Sequence, residues 1–183
     1  MATVTYIILP DVIRERMSLH DNIEDKNLYP EIKAVQDLYI MPLLGSRLFD
    51  KILTDIAADN LAGYYKTLTD DYLVMAVCNF VMSELPEVLN YQYWNKGVAT
   101  KTAENTKEPT MSELYSLVAK YKNRAEHYTK LARAYLIANV AHFPEYNLFV
   151  SGTDLVPHEN SAYTCPIYLG DETEAPRSDY SLQ

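Results

Sequence analysis

Residues 110–142 carry the feature that most limits what this chain can fold into. From Leu114 the inward positions recur at alternating steps of four and three: Leu114, Val118, Tyr121, Ala125, Tyr128, Ala132, Tyr135, Asn139 and His142. Such steps share one stripe of an α-helix, whereas a strand would need alternate residues on a face. Tyrosines 121, 128 and 135 form one column and alanines 125 and 132 the other. This heptad pattern predicts a seam buried against neighbouring helices. Thr110-Met111-Ser112-Glu113 reads as the capping box that opens the helix, and Pro144 as its stop. Nothing on the stripe is a nucleophile, a metal cage or a phosphate cradle, so the chain reads first as a building block.

Ahead of that helix the pattern predicts three more. Pro30 and Glu31 suit the first turn of a helix starting near Tyr29, with Ile32, Val35, Leu38 and Tyr39 on one face. Pro42 is expected to interrupt it, and Met41–Gly45 to form a corner. Ser46 is the expected N-cap of a second helix to about Ala57, burying Leu48, Phe49, Ile52, Leu53 and Ile56. Residues 60–68 read as a connector. Thr69 or Asp70 is the expected cap of a third helix from Asp71 to about Asn90, apolar on two sides and kinked at Pro86. Residues 91–109 lack helical period. Asn95 to Gly97 suggests the turn of a small hairpin.

The ends read differently. Thr3 to Leu9 is β-branched or aromatic and stops at Pro10, the signature of one short strand without an adjacent partner. Deleting residues 2–9 is therefore expected to leave the helices folded. Beyond residue 146, Pro157, Pro166 and Pro176 forbid a helix through them, and the last stretch is polar and acidic. The expected organisation is all-α: an extended arm at 1–22, a helical domain at 23–146 with an insertion at 91–109, and an extended tail at 147–183. Candidate contact residues are Val4, Tyr6 and Ile8 in the arm, Tyr93, Trp94 and Lys96 in the insertion, and Tyr163 and Tyr168 in the tail. Sixteen tyrosines against four phenylalanines favour large contact areas with polar tips.

Charge and composition narrow the function classes. A net charge of -9 repels phosphate, and no Lys/Arg cluster stands out along the chain, so gripping DNA is not expected. No apolar run approaches the roughly 20 residues that cross a bilayer, and Met1–Pro10 lacks the basic start of a secretion signal. The chain is thus expected to stay in the compartment where it is made. Cys78 and Cys165 form no motif. None of the histidines at 20, 127, 142 and 158 has a glutamate three residues before it, so the di-metal bundle motif is missing. His142 reads as a helix C-terminal cap and Asp70-Asp71 as a helix start. Neither a phosphate loop nor a serine elbow is present in the sequence. No cofactor, metal or enzymatic activity is expected.

Two stretches, Tyr29-Pro-Glu-Ile-Lys-Ala-Val-Gln-Asp-Leu-Tyr-Ile-Met-Pro-Leu-Leu-Gly45 and Arg47-Leu-Phe-Asp-Lys-Ile-Leu53, resemble the opening helices of head–tail connector (adaptor) proteins of tailed bacteriophages. Trp94-Asn-Lys-Gly-Val98 and residues 103–109 are similar to the insertion of versions from Bacteroides-type phages, including the crAss-like group. Tyr128 to Ala141 with Phe143-Pro-Glu-Tyr146 is similar as well. The likeness covers about residues 25–150. It implies a virion protein of the phage neck, assembled in the bacterial cytoplasm. Such proteins form a ring of about twelve copies, in which two different faces of each subunit must match. The ring would bind the portal protein, receive tail or neck proteins, and let DNA pass through its channel without specific binding; no membrane contact is implied. Alternatives are a tail-completion or stopper protein of the neck, and a helical protein-binding module outside the virion.

Overall fold

The computed structural model describes residues 4–17, 19–94, 97–100, 110–147 and 154–157. The architecture is all-α with one small hairpin. Helix α1 spans Pro10–Met17 and α2 Asp25–Val35, followed by a π turn Gln36–Ile40 and the short α3, Met41–Leu44. Then come α4 (Ser46–Ala57), α5 (Gly63–Thr67), a second π turn (Leu68–Leu73) and α6 (Val74–Asn90). Strands β1 (Tyr91–Trp94) and β2 (Gly97–Thr100) precede α7 (Met111–Ala138), a 3₁₀ turn (Val140–His142) and α8 (Pro144–Asn147).

The stretch Gly63–Leu89 is the central element. Leu68, Leu73, Val77, Cys78, Val81 and Leu85 on it are fully or almost fully buried. By length and composition it could cross a membrane: one 18-residue window of it has a mean hydropathy of 1.4, and 56% of that window is buried inside the protein. That corrects the expectation that no apolar stretch reaches spanning length. Helix α7 lies along α6 and its preceding π turn, while α2 and α1 pack on α6 as well. The third helix thus starts eight residues before the expected Asp71. Leu68 is sealed in the core, so burial draws the preceding turn into helix where local signals suggested a connector. Thr69 does not cap; its hydroxyl donates to the Tyr65 carbonyl at 2.9 Å. Asp70 faces Lys66 one turn back, at 3.4 Å.

Both early prolines sit inside helical structure. Helix α2 begins at Asp25, so Pro30 is its sixth residue and not its first. Pro30 is exposed, where water can take the carbonyl it leaves without a partner. Pro42 does not interrupt the run either, because the π turn just before it changes the spacing. The Met41 amide donates to the Gln36 carbonyl, five residues back, and the wider turn makes room for the pyrrolidine ring. The break falls at Gly45, with φ +77° and ψ 157°. Ser46 is then the first residue of α4, with Gly45 at the cap position.

Helix α7 follows its expected stripe. Ala125 and Ala132 are fully buried, and Tyr128 and Tyr135 pack at the rim of the core. Leu136, outside the heptad series, is also fully buried. A straight helix drifts about 20° per heptad, so the inward position passes to it near the C-terminal end. The capping box is formed, with the Glu113 amide donating to Thr110 Oγ1 at 3.3 Å and the Thr110 amide to Glu113 Oε2 at 2.8 Å. The hairpin is formed too: β1 and β2 are antiparallel, with Trp94 opposite Gly97.

The strand arm is not formed among residues 4–9. Ile7 and Ile8 are buried in the chain's own core. The fully buried Gln36 side chain holds this segment, its Oε1 accepting from the Ile7 amide at 2.7 Å and its Nε2 facing the Thr5 carbonyl at 3.4 Å. The segment is therefore part of the folded body, and removing it would strip apolar core and leave a buried amide side chain without partners. The expectation that the helices tolerate its deletion is corrected accordingly.

Candidate functional site

The corner between α3 and α4 is where sequence and structure meet most closely. Leu43 and Leu44 anchor it in the core, and Gly45 turns the chain with a backbone that L-residues with a Cβ avoid. Onto this corner the chain lays residues 154–157. The Ser46 amide donates to the Leu155 carbonyl at 3.1 Å, and the Leu155 amide donates back to Ser46 Oγ at 3.0 Å. Arg47 Nε donates to Asp154 Oδ2 at 2.6 Å. A Cβ on Gly45 would lie 2.8 Å from Pro157 Cδ and 3.0 Å from the Leu155 carbonyl oxygen. The corner is thus a seat for an extended peptide, built from a bare glycine, a hydroxyl and a guanidinium. The seated segment shows Leu155 and Val156 to solvent. Residues 154–157 of the extended tail expected from residue 147 are tied back here.

A second polar group gathers where α4, α5 and α8 meet. The Tyr65 hydroxyl donates to Glu145 Oε2 at 2.6 Å, and its ring meets Phe143 edge-on. Burial, then the bond to Glu145, pushes the Tyr65 phenol well above the usual tyrosine range. Lys51 lies over the same ring and pairs with the buried Asp55 at 2.6 Å. His142, expected as a helix cap, is exposed and stacks on Tyr64 at 3.8 Å between centroids. On α2's side of the core, Tyr39 stacks on Phe80 and donates to Glu84 Oε1 at 3.0 Å. Burial and that carboxylate push it up to about 12, and burial together with Glu84 raises Glu31. These phenols are held neutral as hydrogen-bond donors at physiological pH. The Cys78 thiol is buried and pushed up to about 11 by that burial, so it lacks the thiolate character that reactivity requires. Among the described residues no group of three or more His, Cys, Asp or Glu could hold a metal ion.

The residues singled out from sequence do not converge. Val4 is exposed, Tyr6 is half-buried against Tyr29 with ring centroids 5.0 Å apart, and Ile8 is buried. Ile8 is therefore corrected from a contact residue to a core residue, because its side chain is needed to cover the chain's own helices. Tyr93 and Trp94 lie on β1; Lys96, Tyr163 and Tyr168 lie outside the described residues. Sequence reasoning missed Gln36, Ser46 Oγ and Arg47. The only local signal at the seat was the Gly45-Ser46 pair, which marked a corner but not what lies on it.

Residues 40–153 match the sequence profile of a family described as a family of unknown function (DUF6712). No curated protein and no solved structure matches the chain.

Proposed function

We propose that this chain, which belongs to the DUF6712 family, is a structural protein of a bacteriophage neck. It would form a ring of about twelve copies under the portal, a closed cyclic assembly built from one repeated head-to-tail contact. The observation that carries the reading is the helix–corner–helix from Tyr29 to Leu53, the segment that resembles the opening helices of head–tail connector proteins. Its sharp turn falls at Gly45, and both of its helices pack on one core. The long helix α7 supports the reading, since it offers a rigid rod of 28 residues, about 42 Å long at 1.5 Å per residue, to a ring wall. In that setting the ring would lengthen the DNA channel, and tail or neck proteins would dock below it. A net charge of -9 suits a channel through which DNA slides without sticking.

The test is electron microscopy of purified particles of the source phage, with mass spectrometry to identify this chain. Density for a ring of this fold directly below the portal is the expected result. A ring one layer lower would assign it to the stopper position, and its absence from particles would overturn the virion reading in favour of a protein-binding module.

A further inference from the structure

We propose that the outward face of α7 docks on the α1–α2 face of a second copy of this chain, through opposite charge. The inference rests on the ring-forming reading above and names the two faces that would meet. The chain is acidic, but its charge is divided between elements. Helix α7 carries five Lys and Arg against two Glu, whereas residues 10–40 carry seven Asp and Glu against four Lys and Arg. At 3.6 residues per turn the helix brings Lys120, Arg124 and Lys130 within about 120° of one another around its axis. Lys120, His127 and Lys130, with Leu131 and Ile137, fall within an arc of about 120° on α7 at 3.6 residues per turn. That arc lies opposite the buried Ala125, Ala132 and Leu136, and all five residues on it are exposed.

Ion pairing separates the two faces further. Among the described residues Lys120, Lys122, Arg124 and Lys130 make no ion pair, and two of them only flank the Tyr121 ring. Lys120 and Arg124, one turn apart on an exposed helix, repel each other. On the other face three of the four cations are already paired: Arg14 with Asp11 and Asp25, Lys26 with Glu24, and Lys33 with Asp37, while Arg16 reaches Met75 Sδ at 3.8 Å. Glu15 and Asp21, both exposed, are left without an ion pair among the described residues. One face thus carries surplus cations and the other surplus carboxylates. Because α7 and the α1–α2 pair are separate parts of the surface, their contact is heterologous, the type that closes a ring or extends a filament. Leu131 and Ile137 add apolar area to the cationic face, which favours a protein partner over a nucleic acid.

The experiment is zero-length carbodiimide cross-linking of the full chain, using an equal mixture of ordinary and 15N-labelled protein so that links between copies are identified by mass. Links between copies joining Lys120 or Lys130 to Glu15 or Asp21 are expected at low salt. They should fall at least about tenfold near 1 M salt, where the screening length is about 3 Å. Lys120→Glu with Lys130→Glu, or Glu15→Lys with Asp21→Lys, should each abolish them. All four changes in one chain should restore links between copies, now with the charges exchanged. All four sites are exposed, and a thermal melt checks that each variant stays folded. No links between copies, or no restoration in the fourfold variant, overturns the inference. Links between copies at other faces also overturn it, while leaving the ring reading to be decided by particle composition. Binding of a DNA duplex by the chain at physiological salt, lost in the Lys120→Glu, Lys130→Glu variant, would assign the ridge to nucleic acid and overturn it as well.

Discussion

Replacing Gly45 with alanine should destabilise the protein far more than a corner substitution ordinarily does. Two costs combine. With φ at +77° and ψ at 157°, the backbone sits where residues other than glycine incur roughly 1–3 kcal/mol. The new Cβ would also lie 2.8 and 2.9 Å from Pro157 and 3.0 Å from the Leu155 oxygen. Relief requires residues 154–157 to lift away, which loses the two hydrogen bonds between Ser46 and Leu155, each worth about 0.5–1.5 kcal/mol net. The sum is roughly 2–6 kcal/mol. A loss of about 3 kcal/mol lowers the Tm of a chain this size by roughly 6–12 °C. Urea unfolding of Gly45→Ala measures the loss directly. The same change made alongside Pro157→Ala separates the two costs, since the nearest ring atoms are then gone. There the loss should shrink by about 1 kcal/mol, the coupling expected of residues in contact, while the backbone part remains. A loss below about 0.5 kcal/mol, the size of an ordinary surface change, would refute the strained corner. Equal losses in both backgrounds would refute the seated tail segment.

Three further outcomes follow from other contacts. Gln36→Leu should cost about 1–3 kcal/mol in chemical denaturation, because the buried Ile7 amide loses its acceptor; a neutral result would mean that residues 5–8 are not held there. Thr110→Ala should cost about 0.5–2 kcal/mol and speed amide exchange through the first turn of α7, and unchanged exchange would show that the capping box does not hold that end. Tyr39 should lose its proton late in an alkaline titration followed by tyrosinate absorbance. Its folded value stands near 12 against an ordinary 10, so its share of stability is complete below pH 10 and is lost as pH rises from 10 through 12. Tyr39→Phe should remove one tyrosinate's share of the late absorbance and leave that of Tyr65, which is also raised; a late amplitude unchanged from the parent would show that Tyr39 does not titrate there.

Much of this fold was legible before any coordinates because the signals were local. The four-and-three spacing of Leu114 to Asn139, the capping box at Thr110, the apolar face of α4, the hairpin of residues 91–100 and the corner ending at Gly45 each depend on residues within a turn or two of one another. Short-range sterics and side-chain periodicity decide such features almost regardless of the remaining chain. The element starts that were misplaced, at Asp25 and Gly63, are those where core burial outweighs weak local preference. Leu28 and Leu68 are sealed inside, and their packing extends helix across segments that look like loops in isolation.

What the tertiary structure alone decided involves partners far apart in the chain. The run Thr3 to Leu9 has strand composition, yet its described residues 4–9 are irregular, with Ile7 held by Gln36, 29 residues further on. Nothing local distinguishes that from an unpaired strand. Ser46 and Arg47 acquire their roles only when Asp154 and Leu155 arrive from 107 to 109 residues downstream. The basic face of α7 exists only once the helix turns Lys120, His127 and Lys130 to one side. The sequence by itself thus determined which segments coil and which faces turn inward, because adjacent sterics and apolar period are written in neighbouring residues. The fold decided which distant backbone groups and charges meet, because those pairings depend on how the helices close around one core.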